Sequence, residues 1–283
     1  HDSTMAGNGA GNDSGLRYKD KVTIVTGGSK GIGEGCVRVF VRHGAKVVFC
    51  ARGEAAGKTL EAEVNSSGPG EAVFVPCDVT KEDQIKNVIA VAVEKYGQID
   101  CLINNAGSHP SHKSIDDFSA DDFRRLLDLN VVSYFLFSKY ALPHLRKTKG
   151  NIINDSSLVG MIGQVGAVTY VSTKGAVSAM SRALAVDEAR HGVRVNTFSP
   201  GNILTPLWES LANESDNPQK MIEGGQDSQL LGRFGTIEEA GQLCLFLASE
   251  GTFCTGLDIP LSGGAELNYG RKTRLKEKEN VYD

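Results

Sequence analysis

Tyr170 and Lys174 stand four positions apart in "TYVSTKGAV" (169–177). On a helix that spacing puts both side chains on one face, one turn apart. A phenol titrates near 10 and is a poor base at neutral pH, but an ammonium beside it favours the phenolate. Such a pair can take a proton from a hydroxyl group or return one. In a chain with seven tyrosines and 17 lysines, one pair at this spacing is no evidence by itself. It gains meaning only if other residues supply something for it to act on.

A second group with chemistry lies upstream. "KVTIVTGGSKGIG" contains Thr26, Gly27, Gly31 and Gly33 in a TG-x-x-x-G-x-G pattern, with Ser29, Lys30 and Ile32 inside it. Glycines there permit a tight turn and let backbone N–H groups approach a pyrophosphate at a helix N-terminus. The chain has 33 glycines, so the turn alone is weak evidence. Its context is the required one: after a strand, before a helix, in the first βαβ unit. The second strand then ends "VVFCARG", with Ala51 and Arg52. Enzymes that use NAD place a carboxylate here for the ribose 2′-hydroxyl. This chain has none, and a guanidinium can grip a 2′-phosphate bidentately. With Lys30 able to approach the same phosphate, the residues predict NADP(H). The alternative leaves Arg52 and Lys30 as solvated charges, with NAD(H) held through the backbone or by Glu54.

The elements that must position these groups alternate. Strand-like apolar runs fall at 21–27, 45–50, 71–79, 99–107, 150–157, 192–201 and 257–264. Helical patterns fall at 33–44, 54–68, 80–97, 120–147, 168–190 and 236–250. Thr80, with Asp83 three residues on, resembles a capping box for the third helix. Continuous apolar strands alternating with helices predict an α/β protein: a single doubly wound domain, with a seven-stranded parallel sheet and helices on both faces. The domain is expected over 18–265. Segment 202–234 follows neither period, contains the only tryptophan, Trp208, and reads as a loop-like substrate lid. "HDST" before Met5 reads as a tag remnant, and residues 1–17 as a tag and disordered arm. Residues 266–283 read as a solvated tail.

Composition narrows the classes. A net charge of −4 gives no general attraction for nucleic acid. No apolar run reaches 18 residues, so no membrane span is expected. The six cysteines form no C-x-x-C pair and sit in apolar runs. They predict buried, reduced thiols of a cytoplasmic protein, not a disulfide framework or a metal site.

Taken in order, TG-x-x-x-G-x-G, "NNAG" (104–107), Ser157 thirteen residues before Tyr170, Lys174 and "SPG" (199–201) resemble the short-chain dehydrogenase/reductase family over about residues 20–265. "SSLVGMIGQ", "SPGNILTPLW" and "GGAELNYG" are similar to the hydroxysteroid dehydrogenases within it. The resemblance implies a Rossmann fold, a nicotinamide cofactor and a catalytic set of Asn130, Ser157, Tyr170 and Lys174. Tyr170 would be the base, Ser157 would hold the substrate oxygen, and Asn130 would hold a relay water. Lys174 would also bond the nicotinamide ribose. Asp78, with Val79, would lie at the adenine. Asn105, Ala106 and Gly107, and Pro200, Gly201, Ile203 and Thr205, would line the rest of the cofactor. The implied reaction moves a hydride between the cofactor and a secondary alcohol or ketone, such as a 17β-hydroxysteroid or L-fucose. This branch is NAD-linked, which conflicts with Arg52. His109, Gln164 and Trp208 are candidates for the substrate side, Trp208 more as a lid anchor than as a contact. Asp155 departs from the apolar residue usual in this strand, and its plain reading is a strand-end aspartate in hydrogen bonds. The helices at 120–147 and 168–190 are rich in apolar and small residues, as core helices are, and the resemblance implies a homotetramer built on them, in which Tyr269 of the tail could reach a neighbour. A general NADPH-linked carbonyl or ketoacyl reductase and an idle cofactor-binding regulator are the competing expectations.

Overall fold

The computed structural model describes residues 15–267. Seven strands form one parallel sheet: β1 (Val22–Thr26), β2 (Lys46–Ala51), β3 (Glu71–Pro76), β4 (Cys101–Asn104), β5 (Asn151–Asp155), β6 (Arg194–Pro200) and β7 (Asp258–Leu261). Their order is β3-β2-β1-β4-β5-β6-β7. The chain winds outward one way from β1 and then the other way from β4. The crevice above these two strands is the switch point at which such sheets bind ligands. β1, β4 and β5 are buried throughout, which explains why their sequences run apolar without alternation.

Helices cover both faces. On one face lie α1 (Gly31–Arg42), α2 (Glu54–Ser67) and α10 (Ile237–Ser249). Val37, Phe40, Leu60, Cys244 and Leu245 from these helices pack there on Phe49, Phe74 and Ile153 of the sheet. On the other face, α3 (Glu82–Tyr96), α5 (Ser133–Thr148) and α7 (Val168–Glu188) enclose Ile85, Val88, Phe137, Leu145 and Ile152. Five cysteines are buried and Cys254 is half-buried, all free thiols. Among the described residues no helix is long and apolar enough to cross a membrane.

The strands are shorter than their apolar runs. The residues trimmed from the C-terminal ends, 77–79, 105–107 and 156–157, form the loops over the switch point. The helix expected at 120–147 is broken into α4 (Ala120–Leu127), a π-helical turn (Asp128–Val132) and α5. The third helix starts at Glu82 after Lys81, so Thr80 does not cap it. Asp78 instead accepts hydrogen bonds from the backbone N–H and hydroxyl of Thr80. Capping boxes occur where none was read, at Ser119/Asp122 and Thr236/Glu239.

Segment 202–234 is not a loop. It holds α8 (Pro206–Asn213) and α9 (Pro218–Asp227), capped by Thr205 and Asn217, each with proline at its start. Helices this short carry too few turns for a period to show. A four-residue helix, α6 (Val159–Ile162), follows β5. Arg17, within the expected arm, pairs with Glu250 at 2.6 Å, beside the buried Tyr18. The predicted arm before residue 15 and tail beyond 267, with Tyr269, lie outside the described residues.

Candidate active site

The glycine-rich turn between β1 and α1 is laced to the end of β4. Thr26 Oγ1 accepts hydrogen bonds from the backbone N–H of Asn105 (2.9 Å) and Ala106 (3.0 Å). Asn105 Nδ2 donates back to the carbonyls of Thr26 (2.9 Å) and Gly27 (3.2 Å). Asn105 therefore shapes the cradle, while its neighbour Asn104 is buried in bonds with Asn154 and Ser138. A Cβ at Gly33 would stand 2.3 Å from the Gly27 carbonyl oxygen, so only glycine lets α1 begin this close to the turn. No side chain caps α1 at Lys30, which leaves its first N–H groups for an anion. Gly31, at φ +60°, lies against Thr205: a Cβ there would meet the threonine side chain at 3.6 Å. The turn, the β4 loop and the base of α8 thus enclose one crevice, and this donor set fits a dinucleotide.

Around that crevice, Ser29, Ile32 and Ala51 are half-buried, and Val79 is buried. Lys30 and Arg52 are exposed beside it. The Asp78 carboxyl is held below its usual range by the Thr80 N–H and hydroxyl, with Arg52 and Lys81 adding to the effect. Pro200, Gly201 and the buried Ile203 lead from β6 to Thr205, which caps α8 by accepting from the Trp208 N–H at 3.3 Å.

The four predicted catalytic residues converge from three elements. Tyr170 and Lys174 lie on the first turns of α7, and the Lys174 ammonium is 5.8 Å from the centre of the Tyr170 ring. Lys174 is buried, and its Nζ donates to the main-chain carbonyl of Asp155 at 2.8 Å. Burial pushes the Tyr170 phenol above its usual pKa, although Lys174 and a hydrogen bond with Ser157 pull the other way. The residue as a whole is half-buried, but its phenol end is deep enough that desolvation outweighs the ammonium. Burial also opposes the Lys174 charge, yet Tyr134, Asp155 and Tyr170 together hold its pKa above the ordinary value.

Asn130 occupies the π-helical turn and is fully buried. Its Nδ2 donates to the Ser108 carbonyl (3.0 Å) and to Thr173 Oγ1 (3.1 Å), and its Oδ1 accepts from the Ser108 N–H (3.0 Å). The side chain clamps the loop after Gly107 to α7. Such π turns inside helices are frequent at functional sites.

On the substrate side, His109 stacks on Tyr170 with ring centres 4.1 Å apart, and its Nε2 lies 3.0 Å from Gln164 Oε1. Two of the three candidates are therefore brought to the base. The third, Trp208, packs edge-on to Phe234 at 4.5 Å, with its indole N–H on Asn202 Oδ1 at 3.3 Å. It anchors the lid.

Sequence reasoning missed Tyr134 and Thr173. Tyr134 donates to the Asp155 carbonyl at 3.3 Å, and nothing in the spacing of an apolar helix marks either residue. It also misread Asp155. The carboxyl is buried, and its Oδ1 has no hydrogen-bond partner, so this is not an aspartate satisfied at a strand end. A cavity of about 750 Å³ at the opposite end of the sheet, by the N-terminal ends of β1, β4, β5 and β6, is remote from this chemistry. There Lys21 is paired with Asp100, and Arg194 donates to the carbonyls of Gly251 and Cys254.

Residues 27–266 match the family described as Enoyl-(Acyl carrier protein) reductase. L-fucose dehydrogenase of Mus musculus is 53% identical over 256 residues, covering 90% of this chain and 92% of that protein. The chain belongs to the short-chain dehydrogenase/reductase family. It is an NAD(P)-dependent oxidoreductase. Among solved structures, levodione reductase superposes with a TM-score of 0.86 at 27% identity, covering 89% of this chain and all of that one. L-sorbose reductase from Gluconobacter frateurii, complexed with NADPH and L-sorbose, gives a TM-score of 0.85 at 25% identity, covering 90% of this chain and all of that one.

Proposed function

We propose that this short-chain dehydrogenase oxidises the anomeric hydroxyl of L-fucose or of a closely similar sugar, with Tyr170 as the base. The observation that carries this reading is a polar pair at the base, His109 packed on Tyr170 and Gln164 bonded to His109, in a chain 53% identical to an L-fucose dehydrogenase. Ser157, whose hydroxyl favours the Tyr170 phenolate, holds the substrate oxygen. The Tyr170 phenolate takes the hydroxyl proton as the carbon–oxygen bond becomes a carbonyl. Lys174 stabilises the phenolate, and Asn130 keeps the loop bearing His109 against α7. The nicotinamide, when bound, supplies the hydride acceptor. His109 and Gln164 offer hydrogen bonds that a polyol can use.

A 17β-hydroxysteroid is the second reading. It rests on the likeness of three segments to 17β-hydroxysteroid dehydrogenase type 14. It also rests on apolar side chains exposed around the lid, Leu204 and Leu207 at 47% and 46%. The cofactor of this proposal is NADP(H), because Arg52 and Lys30 stand free of ion pairs among the described residues and no carboxylate occupies position 51. Segment 202–234 acts as the lid of a single catalytic unit spanning 18–265, and the free thiols suit a cytoplasmic enzyme. L-Fucose, estradiol and an acyl ketone, each followed at the nicotinamide absorbance, separate the readings. Fastest turnover of the ketone marks a general carbonyl reductase, and no turnover of any of them marks an idle binding protein.

A further inference from the structure

Asp155 is a buried ionisable group for which the mechanism above has no use. It ends β5, two residues before Ser157. Its neighbour Ser156 bonds the Lys174 carbonyl and Ser178, tying this corner to α7. The Asp155 main-chain carbonyl is the anchor of both Lys174 Nζ and the Tyr134 hydroxyl. Its carboxylate takes no part in those bonds. It is 8% exposed, and its Oδ1 is sealed from water without a partner. Asn154 turns toward α7, where it bonds Ser181. By strand alternation the Asp155 side chain turns to the α1/α10 face. At this C-terminal end of the strand its charge is felt on both sides of the sheet, by Lys174 and Tyr170 of α7, Tyr134 of α5 and the Cys244 thiol of α10. Only Lys174 carries the opposite charge.

A buried carboxyl without a hydrogen bond destabilises a fold, and orphan groups of this kind mark sites where charge is used. We propose that Asp155 is a third charged member of the Tyr170–Lys174 pair, a positioning residue whose carboxylate balances the Lys174 ammonium and so sets the pH at which Tyr170 releases its proton. The inference rests on the reading of Tyr170 as the base. The sign follows from Coulomb's law. A negative charge near the phenol opposes its ionisation, both directly and by offsetting Lys174. Burial and the absence of a partner push the Asp155 carboxyl up to about 6, despite the ammonium. The balance therefore changes near neutral pH, where protonating Asp155 frees the full charge of Lys174 for the phenolate.

The test uses the ligand-free protein with ¹³Cζ-labelled tyrosine, comparing wild type, Asp155→Asn and Asp155→Ile, with Tyr170→Phe to assign the Tyr170 signal. Removing a like charge from this site lowers the Tyr170 pKa by about one unit, so at about pH 9.5 the phenolate fraction rises several-fold in both variants. The acid limb of kcat/KM for alcohol oxidation moves down by the same amount. An unchanged or smaller phenolate fraction in the variants overturns the proposal, and Asp155→Ile carries the test alone if the asparagine variant does not fold. Full activity in Tyr170→Phe would instead sink the dehydrogenase reading, and leave the ligand-free comparison standing.

Discussion

Asp155 is charged at neutral pH at a cost to the fold. A carboxyl whose pKa rises from 3.8 to about 6 on folding corresponds to about 3 kcal/mol of destabilisation when ionised. The folded state binds the proton more tightly than the unfolded chain does. The destabilisation is therefore absent below about pH 4, grows as pH rises from there and is fully present above about pH 6. Asp155→Asn should accordingly melt higher than wild type at pH 8, with the gap closing toward pH 4. A gap that does not change with pH would show that the carboxyl titrates alike in the folded and unfolded protein. Position 51 makes a separate argument. With Ala51 beside Arg52, the account expects kcat/KM to favour NADP over NAD by about tenfold, near the value of one strong charge-assisted contact. Ala51→Asp should reverse that preference by repelling the 2′-phosphate and accepting from the 2′-hydroxyl. A tenfold preference for NAD in the wild type would mean that Arg52 is only a solvated charge.

The π-helical turn at 128–132 shows how an element can be legible in kind and hidden in detail. "LDLNVVSYFLFSKYALPHL" carries helical spacing and folds as helix throughout. The single extra residue that widens the turn leaves no periodic mark, because Asn130 is selected by the Ser108 and Thr173 groups it meets in space. Replacing Asn130 by alanine strands those buried partners. It should reduce stability by about 1–3 kcal/mol, read as a fall in Tm of a few degrees. An unchanged Tm would show that water takes over the clamp. The same contrast runs through the rest of the chain. Buried parallel strands announced themselves as apolar runs, and the glycine turn and the Tyr170–Lys174 spacing were local in sequence. The split of 202–234 into α8 and α9 was not legible, since two short helices give no period. The stacking of His109 on Tyr170 was not legible either, since it joins residues 61 apart through the fold alone.

At the scale of the molecule, apolar side chains remain uncovered on the helices that flank the site. Phe135 on α5 and Val186 on α7 are 50% and 77% exposed, and Val132 on the π turn is 40% exposed. A face of this kind suits contact with another subunit. We propose that it assembles a homotetramer; light scattering at micromolar concentration should return four times the chain mass, and a monomer would contradict it. The central claim is that this fold brings Tyr170 to a sugar hydroxyl as its base. The most direct measurement is the rate of reduced-cofactor formation from L-fucose by wild type and by Tyr170→Phe at equal cofactor saturation. A general base contributes about 10²–10⁴-fold, so the account predicts a loss of that size with cofactor binding intact. A variant that keeps more than about a tenth of the wild-type rate would contradict it.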